Sequence, residues 1–166
     1  MIQCNVYDWT LAGYKFDITK DYDVHTELHL NNKNNGYIRV GFIDNGETRD
    51  VNNAHLIEWA NENGYKWRNN TRTNGTDSYT STNLQNKQIL YNTWVDVDFK
   101  IRQGKIYATY QTPTQQTITD VETFTVNEIV QDQYVGEMEY PFWFGICSWI
   151  SRTTGMGCRK FIVNEL

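Results

Sequence analysis

"YNTWVDVDFKIRQGKIYATYQ" (residues 91–111) is a hairpin written in plain alternation. Val95, Val97, Phe99 and Ile101 alternate with Asp96, Asp98 and Lys100, the period of a strand with one dry side and one wet side. "RQG" follows, with Gly104 to take up the turn, and Ile106, Ala108 and Tyr110 repeat the apolar row on the return.

The same period recurs on both sides of this unit. In "DYDVHTELHL" (21–30) Val24, Thr26, Leu28 and Leu30 share one face, and His25, Glu27 and His29 the other. "YIRVGFID" (37–44) sets Ile38, Val40 and Phe42 together, and the polar "NNKNNG" between the two runs predicts a second hairpin. "AHLIEWANENGYKWRNN" (54–70) lacks a helical stripe and reads as two strands, 54–60 and 65–69, around the turn "NENG". Residues 68–88 read as an exposed polar tract with one weak edge strand, and they carry N-x-T sequons at Asn69 and Asn74. Between 111 and 140 only "TFTVNEI" reads as a strand. The acids Asp120, Glu122, Glu128, Asp132, Glu137 and Glu139 fall in an elaborated, solvated connection. "YPFWFGICSWI" (140–150) is a buried strand and "CRKFIVNEL" (158–166) a closing one.

Composition agrees. Thr, Ile and Val number 19, 13 and 11 against 4 Ala and 7 Leu, which favours pleated surfaces over helices. Many short strands separated by turns, with no repeat and no linker, predict an all-β sandwich of two antiparallel sheets in a single domain over 1–166. That span fits either a small gene product or a domain cut from a longer chain.

Lys and Arg number 15 and Asp and Glu 20, a net charge of −5 with no basic patch, so nucleic acid is excluded as an expected partner. No run approaches the ~20 apolar residues of a spanning helix, so no membrane insertion is expected. The first residues lack the basic and apolar regions of a signal peptide. Cys4, Cys147 and Cys158 form no C-x-x-C; buried thiols are the preferred reading, one disulfide with a leftover thiol the alternative.

Asp96 and Asp98 raise the question of glycosidase chemistry. Two residues along a strand separate them by about 6.5–7 Å, inside the ~5–9.5 Å of glycosidase pairs. Lys100, next on that face, would lower a neighbouring acid's pKa, whereas a general acid needs it raised. No catalytic residues are therefore assigned. His25, Glu27 and His29 could in principle ligate a metal, but a solvated strand face accounts for them and no metal ligand is assigned.

The order of segments, from "DYDVHTELHL…GYIRVGFID" through "TWVDVDFKIRQGKIYATY" to "PFWFGICSW…GCRKFIVNEL", resembles the concanavalin A-like lectin and glucanase superfamily. The resemblance implies a jelly-roll sandwich. Glucan hydrolases of that superfamily carry E-x-D-x-x-E on a concave-sheet strand. Here "DVDFK" keeps Asp98 and lacks both glutamates, so the resemblance implies a non-catalytic module: carbohydrate-binding, adhesin-like or a phage tail, receptor-binding domain. The partner so implied is a glycan or cell-surface polysaccharide, met outside the cell, on its surface or on a virion. Some members hold Ca2+; no D-x-[DN]-x-[DN]-G spacing supports that here, and no cofactor is expected.

Sugars are held by exposed rings and by fixed polar groups. Trp59, Tyr65 and Trp67 surround "NENG", and Trp149 precedes Arg152 in "SWISRTTG". These four rings with Arg68, Arg152 and Asp98 are the expected ligand-binding residues, with Asn61 and Asn63 as further polar partners. Trp94 and Trp143 are expected to be structural. Two other readings stay open: an assembly domain of a virion or surface fibre, as a homo-oligomer, and a glycoside hydrolase with an atypical site.

Overall fold

The computed structural model describes residues 2–3, 9–30, 36–44, 51–61, 65–81, 93–113, 126–150 and 156–166. These form twelve strands: β1 (Ile2–Gln3), β2 (Trp9–Phe16), β3 (Tyr22–Leu30), β4 (Gly36–Ile43), β5 (Ala54–Asn61), β6 (Tyr65–Thr73), β7 (Thr76–Ser81), β8 (Thr93–Arg102), β9 (Lys105–Pro113), β10 (Val126–Glu137), β11 (Phe142–Ile150) and β12 (Met156–Glu165). Two six-stranded antiparallel sheets result. Sheet A runs β1-β12-β3-β8-β9-β10 and sheet B runs β2-β11-β4-β5-β6-β7.

The apolar rows read from the sequence face each other across one core. Val24 and Leu28 of β3, Val95, Val97, Phe99 and Ile101 of β8, and Ile106, Ala108 and Tyr110 of β9 meet Val40, Phe42, Ile57, Phe142, Phe144 and Ile146 from sheet B. Phe42 lies at its centre, with ring centroids 5.2, 5.1 and 5.7 Å from those of Phe16, Phe99 and Phe144, all near-perpendicular. Cys158 is a free, buried thiol, and burial pushes its pKa up. Cys4 and the side chain of Cys147 lie outside what is described.

One turn and one strand pair form as the sequence predicts, and residues 62–64 of the expected "NENG" turn lie outside what is described. The β8–β9 hairpin closes through Gln103 and Gly104, both at positive φ (50° and 77°). β5 and β6 pair in register from Ala54↔Arg72 to Asn61↔Tyr65.

Three expectations are corrected. β3 and β4 do not form a hairpin: β3 pairs with β12 and β8, β4 with β11 and β5. Their apolar rows oppose one another across the core instead of lying side by side, so the connection arches from one sheet to the other. β2 was not expected as a strand, because Leu11–Ala12–Gly13 breaks the alternation; the pairing with β11 shifts register there, between Trp143 and Gly145. The described part of the acidic connection before Pro141 is largely β10, while Asp120 and Glu122 lie outside what is described. Its register shifts at three places against β9, and Asp132 takes a positive φ of 48°, so period two is lost. Charge and bulges of this kind are how an edge strand avoids pairing with another chain.

Candidate functional site

The outward row of sheet A carries paired charges. Arg102 and Asp23, Lys100 and Asp132 (3.0 Å), and Lys20 and Glu165 (2.6 Å) are ion-paired. Asp98 Oδ1 lies 2.6 Å from His25 Nδ1, and Lys100, expected beside Asp98, reaches Asp132 instead. The two carboxylate oxygens of Glu27 accept from Arg159 and Lys160, and these cations hold its pKa at about 2. Arg159 also stacks over Trp94, its Cζ 4.1 Å from the ring centre. His25, Glu27 and Asp96 bring potential ligand atoms within 4.8 Å of one another, but a cation there would have to displace both partners of Glu27.

The outward row of sheet B differs. Glu58 and Asn70 are fully buried (0% exposed) although they point away from the core, and Arg39 is nearly so. Arg39 Nε donates to Glu58 Oε2 at 2.6 Å and Asn70 Nδ2 donates to the same oxygen at 3.1 Å. That donation fixes the Asn70 amide, leaving Oδ1 as an acceptor without a hydrogen-bond partner. Asp77 of β7 then accepts from Arg72 Nη1 at 3.0 Å and Tyr79 OH at 3.2 Å, and is ion-paired with Arg39 Nη2 at 3.6 Å. Burial opposes the Arg39 charge, yet the pull of Glu58, Asp77 and Tyr79 raises its pKa. Arg72 is braced further by Nε to the carbonyl of Val51 (2.8 Å). Below this network Ile43, Val51, Ala54 and Leu56 form a second apolar cluster with Trp143, whose ring lies 5.0 Å from Lys15 Nζ.

Among the described residues the network holds two cations, Arg39 and Arg72, and two carboxylates, Glu58 and Asp77. A buried ion pair stabilises a fold less than apolar side chains of the same volume would. The half-buried Asp77 and Arg72 and the exposed ring of Tyr79 (44%) form its accessible rim.

Of the residues expected from the sequence, Asp98 lies on sheet A while Trp59, Tyr65, Trp67, Arg68 and Trp149 lie on sheet B, so the two sets do not converge. Register brings Trp59 opposite Trp67, Asn61 opposite Tyr65, and Arg68 opposite Glu58; Trp149 pairs with Tyr37. The side chains of these five, together with Asn63 and Arg152, lie outside what is described. Sequence reading passed over Arg39, Glu58, Asn70, Asp77 and Tyr79. The signal available was Arg39 flanked by Ile38 and Val40, and Glu58 by Ile57 and Trp59: opposite charges at the middle of two apolar strands.

The sequence matches no protein-family model and no curated protein sequence. Among solved structures the chain is similar to the carbohydrate binding module CBM66 from Bacillus subtilis, with a TM-score of 0.59, 11% identity, and coverage of 97% of this chain and 84% of that one. Weaker likenesses extend to a polysaccharide lyase of family 18 (TM-score 0.48, 9% identity, 90% of this chain and 74% of that one). A functionally unknown protein from Saccharomyces cerevisiae is comparable (TM-score 0.48, 9% identity, 91% and 71%). The first likeness and the two stacked antiparallel sheets together show the fold, a jelly-roll β-sandwich.

Proposed function

We propose that this chain is a non-catalytic carbohydrate-binding domain that holds a stretch of surface glycan on the outward side of sheet B. The observation that carries the reading is the Arg39–Glu58–Asn70 cluster, charged and amide groups fully or nearly fully buried on the outward side of sheet B, beside the apolar cluster of Ile43, Ala54 and Leu56. Glu58 positions Arg39 and Asn70. Asp77, Arg72 and the ring of Tyr79 meet the ligand, with fixed polar groups for hydroxyls and a flat face for C–H edges. The similar solved structure is itself a carbohydrate-binding module, which accords with this use of the fold. Absence of catalysis is supported by the surroundings of Asp96 and Asp98, a face of paired charges with His25 on Asp98.

Affinity electrophoresis and glycan arrays test the reading. The wild-type chain is expected to be retarded by at least one polysaccharide. Tyr79→Ala and Asp77→Asn should each weaken that binding about tenfold, the ~1.4 kcal/mol that one stacked ring or one charge-assisted hydrogen bond supplies. Binding to no glycan, or unchanged binding by both variants, would overturn it. Release of reducing sugar, abolished by Asp98→Asn, would replace it with a hydrolase.

A further inference from the structure

At the open side of the sandwich β10, the edge of sheet A, approaches β5 and β6 of sheet B. His55 stands between them. Alternation puts it on the Ile57 side of β5, the side that faces sheet A. Its ring meets that of Phe142 at a steep angle, centroids 5.5 Å apart, and lies against the backbone of Gly136, where a Cβ would come within 1.9 Å of Nδ1. A cleft of about 370 Å³ runs beside the ring, between β10, β6 and Tyr140.

Nδ1 of His55 is closed off from solvent and has no hydrogen-bond partner. A neutral imidazole tolerates this, because one of its nitrogens carries no hydrogen. An imidazolium does not: both nitrogens then donate, and a buried donor without an acceptor is costly. The charged groups around the ring do not offset that cost. Glu137 of β10 and Glu139 beyond it are exposed, so water screens their carboxylates. Arg72 of β6 also lines the cleft but is turned to Val51 and Asp77. Tyr140 carries no charge at neutral pH, because burial, Asp44 and Glu139 raise its pKa. Burial lowers the pKa of His55 and outweighs the carbonyls of Glu137 and Val135 and the charge of Glu139, which pull the other way.

β10 is also the strand that can yield. Three register shifts interrupt its ladder with β9, and Asp132 takes a positive φ of 48°, whereas β8 pairs without a shift on both sides. An edge strand with an interrupted ladder opens at lower free energy than the centre of a sheet. We propose that His55 is an acid-operated latch: as a neutral ring it lets β10 close on β5 and β6, and on taking a proton it drives β10 off sheet B, widening the cleft and uncovering the buried Val135. The closed form holds its full stability above about pH 6.5, the ordinary value for histidine, and loses it as pH falls through the lower value of the folded chain. The latch is independent of glycan binding by Asp77 and Tyr79, which lie on the outward side of sheet B.

Hydrogen exchange of the full chain, resolved by residue at about pH 7.5 and about pH 5.5 and corrected for the intrinsic effect of pH on each rate, tests this. Amides of residues 133–137 are expected to lose protection in acid while those of residues 95–99 keep theirs. The ring resonances of His55 in the wild-type chain should titrate with the same midpoint as that loss, below 6.5. His55→Gln, neutral throughout, should stay closed at both pH values. Glu139→Gln should move the midpoint toward acid, because the charge it removes favours the proton. Equal loss of protection in β8 and β10, which is ordinary acid unfolding, would overturn the latch. So would tighter protection in acid, opening that persists in His55→Gln, or a His55 midpoint at or above 6.5. Should His55→Gln fail to fold, the wild-type ring midpoint and the Glu139→Gln shift decide.

Discussion

Glu27 sits under Arg159 and Lys160, and its carboxyl titrates at about 2 against an ordinary 4.5. The ionised form therefore favours the folded chain fully above pH 4.5, and the contribution fades as pH falls from 4.5 toward 2. Glu27→Gln lacks it. Urea titrations of both proteins should show a stability difference that is constant above about pH 5 and closes near pH 2. A difference that instead widens toward acid would remove Arg159 and Lys160 as the cause. The two sequons separate on geometry alone. Asn69 is buried in a strand and its amide is spent on Tyr134, whereas Asn74 stands exposed on the β6–β7 turn at a positive φ of 49°. Expressed through a eukaryotic secretory route, the folded chain is expected to carry glycan at Asn74 and none at Asn69, read by mass spectrometry of the peptides. These residues also mark what sequence could and could not tell. Both sequons are visible as text, but only the register of β6 says which side of the strand is closed.

Two strands from different sheets are fitted to one histidine. A Cβ at Gly136 of β10 would stand 1.9 Å from His55 Nδ1, and one at Gly41 of β4 would stand 2.3 Å from the His55 carbonyl oxygen, with Gly41 at a φ of 149° besides. Gly136→Ala is expected to cost about 1–3 kcal/mol as overpacking, measured by urea denaturation, and His55→Ala should relieve much of it in the double variant. Gly41→Ala meets backbone, which cannot swing aside, so it should cost more than Gly136→Ala and gain nothing from His55→Ala. The same contrast explains which elements were legible. β3 and β8 alternate cleanly, β5 and β11 are apolar runs, and all four were read within a few residues of their ends. β2 and β10 were missed or truncated because bulges interrupt their period. The β3–β4 hairpin was misread because alternation gives the side a residue faces, not the sheet it joins.

One core serves both sheets, and Phe42 touches rings from each. Phe42→Ala should therefore cost about 3–5 kcal/mol, lost in a single cooperative transition by circular dichroism and tryptophan fluorescence alike; separate transitions for the two probes would contradict a shared core. The jelly roll was legible in the sequence because its apolar rows are nearly unbroken. The buried polar cluster was not: it is assembled from β4, β5, β6 and β7, each supplying charged or amide groups that look solvated when read along the chain. Position across a sheet is information that lies between strands. The place of β12 shows how far this extends. Sheet A seats its last-made strand beside β3, one of its first, with Val24 opposite Val163. On a ribosome β3 thus waits for β4 to β11 to be synthesised before this neighbour emerges. Through that interval it presents an unfilled edge to every other nascent polypeptide, so the time of translation is when this protein most needs a chaperone.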